Sequence, residues 1–289
     1  MVDWARRSYL GRTAFLVTMH GKERAIAPPL REGIGLNVTP SPAIDTDQFG
    51  TFSGELPRSG SALDAARAKI AAGFARMPGA TIGLASEGSF GPDPSLPFVP
   101  IGREIVLFFD QETGLEIIGT ATDQQPNFQH AFVSDAQEAA AFADRVGFPE
   151  HGVIVCGGRD GKPYPEGALF KEITDLEGLR NAVACALTDF ETAFLQTDMR
   201  AHRNPTRMKS IREATRDLVR RVLNRCPSCH CPGYAISERV QGLPCAWCSL
   251  PTRLVQSEIL KCQDCGHHEQ RRALGPDRAD PALCDNCNP

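Results

Sequence analysis

Four Cys-x-x-Cys pairs close this sequence, at Cys226/Cys229, Cys245/Cys248, Cys262/Cys265 and Cys284/Cys287. Two residues between thiolates let both sulfurs and a knuckle of backbone amides converge on one tetrahedral ion, and two such pairs saturate it. Eight cysteines therefore predict two structural zinc ions with no coordination position left open for chemistry. Gaps of 15 residues between Cys229 and Cys245 and of 18 between Cys265 and Cys284 suit zinc ribbons. Gly233, Gly242, Pro244, Pro251 and Gly266 supply turns, and 254–260 reads as a ribbon strand. The favoured pairing joins neighbouring pairs into two consecutive ribbons. Two other pairings are the middle pairs on one ion with the outer pairs on the other, and an interleaved cross-brace. Cys231, His230, His267 and His268 are spare and are expected to line the knuckles. Four disulfides are the alternative chemistry. The amino terminus has no apolar leader segment and no apolar run reaches the length of a bilayer span, so a cytoplasmic chain with reduced thiols and no membrane contact is expected.

Nine of the 11 cysteines follow Arg225, which marks a boundary between an α/β domain over 1–224 and a double zinc-ribbon domain over 225–289. The first part alternates strands and helices. Residues 13–19 form an apolar strand, and a helix beginning near Lys22 is limited by Pro28 and Pro29. Ser61-x-x-Asp64 reads as a capping box ahead of Leu63, Ala66, Ile70, Phe74 and Met77 at helical spacing. A short buried strand follows over 81–85. A hairpin over 103–121 turns at Glu112-Thr113-Gly114. An Ala-rich helix capped at Ser134 precedes a strand over 152–156 and a turn at Arg159-Asp160-Gly161-Lys162. Two more helices run from about Leu176 and from Pro205 to Asn224. This order predicts a layered mixed sheet with flanking helices.

Several polar clusters exceed what a core needs. Thr18-Met19-His20-Gly21-Lys22 joins a strand to a helix start, where free amides and a lysine suit phosphate. Asp45, Asp47 and Glu55 lie in a stretch rich in small residues, and carboxylates of this kind suit magnesium. Ser86-Glu87-Gly88-Ser89 follows a buried strand, and strand ends are where α/β sheets hold ligands. His202, Arg203, Arg207 and Lys209 gather positive charge around a helix start. Each cluster alone also reads as a solvated turn or helix face. Cys156 and Cys185 are expected to be plain packed residues.

The order of these clusters resembles the nucleoside-triphosphate pyrophosphatase superfamily that includes inosine triphosphatases. The likeness runs from Thr13 to Arg203. Thr18 to Lys22 stands where that group has Thr-x-Asn-x-x-Lys, with His20-Gly21 in place of Asn-Pro. Ala65-Ala66-Arg67-Ala68-Lys69 is similar to its Ala-x-x-Lys-Ala helix, Ala85-Ser86-Glu87-Gly88-Ser89 to its acidic strand end, and Ala201-His202-Arg203 to its Ser-His-Arg. The resemblance implies magnesium held by Glu87 with Asp45, Asp47 or Glu55, a water directed at the α-phosphorus, and Lys22, Arg203 and Arg207 neutralising phosphate. It implies contacts to the ligand from Thr18, His20, Ser86, Ser89 and His202 as well. The whole chain also resembles an uncharacterised bacterial family with the same His-Gly-Lys-Glu, Ser-Glu-Gly-Ser-Phe-Gly and Cys-Asp-x-Cys-Asn-Pro stretches, to which no function attaches.

The expectation is a zinc-containing protein that binds a nucleotide or another small phosphorylated ligand, with magnesium-dependent hydrolysis as its enzymatic form. The alternative is a non-enzymatic protein whose ribbons hold a protein or nucleic-acid partner. A net charge of −4 gives nucleic acid no global support. The tail adds none, with six Lys or Arg against seven Asp or Glu after Arg225.

Overall fold

The computed structural model describes residues 2–4, 7–41, 44, 60–93 and 98–289. The chain divides into two compact units, one of residues 9–219 and one of residues 1–8 with 220–289.

Among the described residues the larger unit contains two sheets. The first is mixed, in the order β2-β1-β3-β4-β5. Strands β1 (Thr13–Val17), β2 (Asn37–Pro40) and β3 (Ile82–Pro92) run parallel, while β4 (Pro100–Asp110) and β5 (Leu115–Asp123) return antiparallel. Helix α2 (Ala62–Arg76) starts on a capping box between Ser61 and Asp64. It packs on one face of this sheet, where Ala66 and Ile70 meet Phe15, Val17, Ala85 and Leu107. The face opposite carries α1 (Glu23–Ile34) and α5 (Pro205–Leu223). A methyl at Gly119 of β5 would strike the backbone of α5 at Ala214 and Leu218, and one at Gly33 of α1 would strike Val219.

Three expectations change here. Pro28 and Pro29 lie inside α1 and do not limit it. The helix forfeits two backbone donors, yet Ala25, Ile26, Pro29 and Leu30 form its buried face. The short strand expected over 81–85 is 11 residues long, because β4 pairs with it all the way to Pro92. The third helix, α3 (Ala136–Val146), takes its cap from Asp135, which accepts from Gln137 and Glu138 amides, and not from Ser134.

The second sheet is antiparallel, β6-β9-β7-β8, formed by β6 (His130–Val133), β7 (Val153–Arg159), β8 (Lys162–Phe170) and β9 (Thr192–Thr197). Asp160 and Gly161, both at positive φ, close the β7–β8 hairpin. Helices α3 and α4 (Leu176–Asp189) cover one face through Phe142, Val146, Leu179 and Val183. No described helix is long and apolar enough to cross a membrane.

The smaller unit is a three-stranded antiparallel sheet, β10 (Ala235–Gln241), β11 (Val255–Lys261) and β12 (His268–Arg272), with the four cysteine pairs at its ends. The amino terminus belongs to this unit. Trp4 is buried, its indole donates to Asp264 at 2.9 Å, and Arg225 donates to the carbonyls of Trp4 and Arg7.

Candidate functional site

The tail forms two clusters of four cysteines, Cys226/Cys229/Cys262/Cys265 and Cys245/Cys248/Cys284/Cys287. The pairing is therefore interleaved, which corrects the expectation of two consecutive ribbons. The reason is the sheet. Strand β10 separates the first pair from the second by seven residues, roughly 20 Å of extended chain. Ala235 lies opposite Lys261, which brings the first pair beside the third. Gln241 pairs with Val255, and Ser257 with Arg272, which brings the second pair beside the fourth at the other end.

Sulfur separations test the fit to a metal. Cys226 and Cys265 are 3.7 Å apart, Cys229 and Cys262 3.6 Å, Cys245 and Cys287 3.8 Å, Cys248 and Cys284 3.6 Å. A tetrahedral ion with metal–sulfur bonds of about 2.3 Å sets sulfurs about 3.8 Å apart. A disulfide requires about 2.05 Å, so these are free thiols. Both clusters fit structural metal sites. Three of the knuckles share one design. Cys226, Cys245 and Cys262 amides donate to the carbonyls of Cys231, Leu250 and His267, and the residue after the second cysteine is left-handed: His230, Ser249 and Gly266. Amides turned inward pull the thiols of Cys245 and Cys265 down to about 7, chiefly through the Cys248 and His267 amides. Burial first, then neighbouring sulfurs, push Cys229 up to about 12. Four thiolates cannot share such a space without a cation. Cys231 is buried and donates to the Pro232 carbonyl, outside both clusters.

The second cluster of polar residues lies in the α/β unit. Strand β1 ends at Val17, opposite Ala85, while β3 runs on. The carbonyl of Ser86 therefore has no strand partner on that side, and the buried Lys22 ammonium donates to it at 3.0 Å. Lys22 follows Gly21, whose φ of 67° turns the chain into α1. Side chains alternate along β3. Glu87 faces α2 and pairs with Lys69. Gly88 faces α5 and lies opposite Glu104 of β4, which accepts from Arg207 Nε at 2.6 Å. Arg207 also donates to the Met199 carbonyl, lies over the Phe90 ring, and has its amide held by Asn204, the residue that caps α5. Glu104 and Arg207 are each 1% exposed. The second oxygen of Glu104 and the Ser86 hydroxyl are buried without hydrogen-bond partners among the described residues. Burial and the adjacent Arg207 lower Lys22 to about 7, against the pull of Glu87 and Glu104.

Next to this cluster a cleft of about 330 Å³ opens between the start of α1 and the first turns of α5. His20, Arg24, His202, Lys209 and Arg212 line it, with Gly21, Ala201, Pro205 and Met208. The rings of His20 and His202 stack at 5.0 Å. Burial, then the His202 ring and nearby cations, keep His20 near 4, and burial with Arg200 lowers His202, so both are neutral at pH 7.

The residues picked from sequence thus separate. Lys22, Ser86, Glu87 and Arg207 come together, and His20 and His202 meet at the cleft. Thr18 accepts from the His20 amide and shapes the loop. Ser89 is exposed on β3 beyond the cluster. Arg203 is directed elsewhere, to the Ile173 carbonyl beside Gly152. Asp45, Asp47 and Glu55 lie outside the described residues. Glu87, expected to hold magnesium, is engaged by Lys69, and the two cysteine clusters are the metal-competent groups of three or more among the described residues. Sequence reasoning missed Lys69 and Glu104 as site residues, and Arg24 and Arg212 as cleft residues. Glu104 had a readable signal: it shares the inward phase of Val106 and Phe108 on β4.

An α/β unit with a buried ionic cluster at a strand end, followed by an interleaved eight-cysteine tail, is the class these features define. Residues 74–289 match the family described as a domain of unknown function, DUF6671, and the chain belongs to that family. No curated protein matches it.

Proposed function

We propose that the α/β unit binds a small phosphorylated ligand, a nucleotide among the candidates, and that the tail holds two structural zinc ions. The observation that carries the first part is the cleft: Arg24, Lys209 and Arg212 line it with two histidines, and among the described residues no carboxylate does. It opens where β1 ends, which is where α/β sheets place ligands, and Gly21 presents backbone close to the ligand space. Four thiolates per ion and the saturated geometry favour zinc in a structural role.

The cluster behind the cleft supports binding more than hydrolysis. Glu87 and Glu104 are each bound to a cation, so neither is free to orient a water or hold magnesium without giving up Lys69 or Arg207. Glu104 holds Arg207 in place behind the cleft, and Glu87 holds Lys69 on the α2 side of the sheet. The test is thermal unfolding of the full chain with ATP, GTP, inorganic pyrophosphate or tripolyphosphate. A ligand that binds only the folded state raises the midpoint with concentration. A midpoint unmoved by all four at millimolar concentration refutes the assignment.

A further inference from the structure

We propose that the cleft recognises a linear chain of phosphates, two or more long, and neutralises it with side-chain cations and without a divalent metal. This rests on the phosphorylated-ligand reading above and specifies it. Pro205, Met208, Lys209 and Arg212 recur at helical spacing along one face of α5, so this wall is about 10 Å long. A single phosphate would touch one end of it. Arg24 of α1 faces the same space from the opposite wall. The ligand space is thus elongated, with charge distributed along it.

The charge itself is unspent. Arg24, Lys209 and Arg212 are exposed, and none of them is ion-paired to a carboxylate among the described residues. The other cations nearby are committed: Lys69 to Glu87, Arg207 to Glu104, and Arg200 to Asp198 and Glu172. His20 and His202 contribute neutral rings, stacked on each other at the end next to Gly21. Among the described residues three cations without a carboxylate partner, Arg24, Lys209 and Arg212, face the cleft, which matches an oligophosphate and exceeds what a monoanion requires.

Magnesium prefers carboxylate oxygens alongside phosphate. Among the described residues no carboxylate lines the cleft, and Glu87 and Glu104 behind it accept from lysine and arginine. A magnesium-bound phosphate chain carries two fewer negative charges, so the three cations would hold it less tightly than the free chain.

Titration calorimetry on the full-length protein decides this, using orthophosphate, pyrophosphate, tripolyphosphate and ATP, each with EDTA or with excess magnesium. Affinity is expected to climb at each added phosphate and to drop several-fold in magnesium. Equal affinity of tripolyphosphate and ATP identifies a free phosphate chain as the ligand, and tighter ATP identifies a nucleotide; both keep the shared chemistry. Lys209→Ser and Arg212→Ser should each weaken tripolyphosphate about tenfold, the effect of one charged hydrogen bond. Their melting midpoints should not change, since both side chains are on the surface. Orthophosphate binding as tightly as tripolyphosphate, an absolute requirement for magnesium, or ATP binding with no inorganic chain bound overturns the proposal. Failure of every compound to bind overturns the phosphorylated-ligand reading itself.

Discussion

Replacing Gly88 with alanine tests whether the buried ionic cluster is assembled as described. A β-carbon built on Gly88 lies 2.2 Å from Glu104 Oε1, 2.8 Å from its carboxyl carbon and 2.9 Å from Arg207 Nη2. Carbon and oxygen do not approach much below about 3 Å, so Glu104 must withdraw by roughly 1 Å. The bond from Arg207 Nε, now 2.6 Å, then passes the limit of a hydrogen bond. Both groups are buried, so water cannot replace what is lost. Breaking a buried pair by disabling one partner costs about 3–5 kcal/mol. For a unit of this size that lowers the melting midpoint by roughly 10 °C. Urea unfolding followed by circular dichroism reads the change. The control is the same substitution on a Glu104→Ala background. There the space is vacant, and Gly88→Ala should add less than about 1 kcal/mol. A single-mutant cost below about 1 kcal/mol, or equal costs on both backgrounds, would show that Gly88 does not make room for this pair.

Two further predictions concern metal and pH. Zinc counted after thiol modification should be two ions per chain for the wild type. It should be one for Cys229→Ser combined with Cys262→Ser and none for Cys229→Ser combined with Cys248→Ser; the reverse pattern would restore consecutive ribbons. For Lys22, the folded value of about 7 lies below the ordinary 10.5, so between these values the unfolded chain holds a proton that the folded chain lacks. Stability therefore rises with pH through that window, by up to about 1.4 kcal/mol per pH unit. Lys22→Met should flatten this part of the profile in urea titrations from pH 7 to 10, and an unchanged slope would place the titration elsewhere.

Much of this molecule was legible residue by residue. The Ser61–Asp64 capping box, the turn at Glu112-Thr113-Gly114 and the start of α5 at Asn204-Pro205 are local chemistry, settled by neighbours three or four positions apart. Eight thiols at two-residue spacing likewise specify two metal sites with no fold in hand, because the knuckle is local. Lys22, just past β1, and Glu87, within β3, were readable as candidates of a polar cluster. What could not be read was which groups they meet. Lys69 is 18 residues from Glu87, and Arg207 is 103 from Glu104. Their partners follow from which sheet face each strand residue takes and which helix covers it.

The tail shows the same division. Its sequence determined the candidate ligands and their number, four thiols for each of two metal sites. Only the tertiary structure decided which pairs share an ion. The pairing depends on antiparallel register: β10 carries the chain from one end of the sheet to the other before β11 brings it back. Two-residue spacing contains no information about that path, so the connectivity belongs to the sheet, as the ion pairs of the α/β unit belong to the packing of its helices.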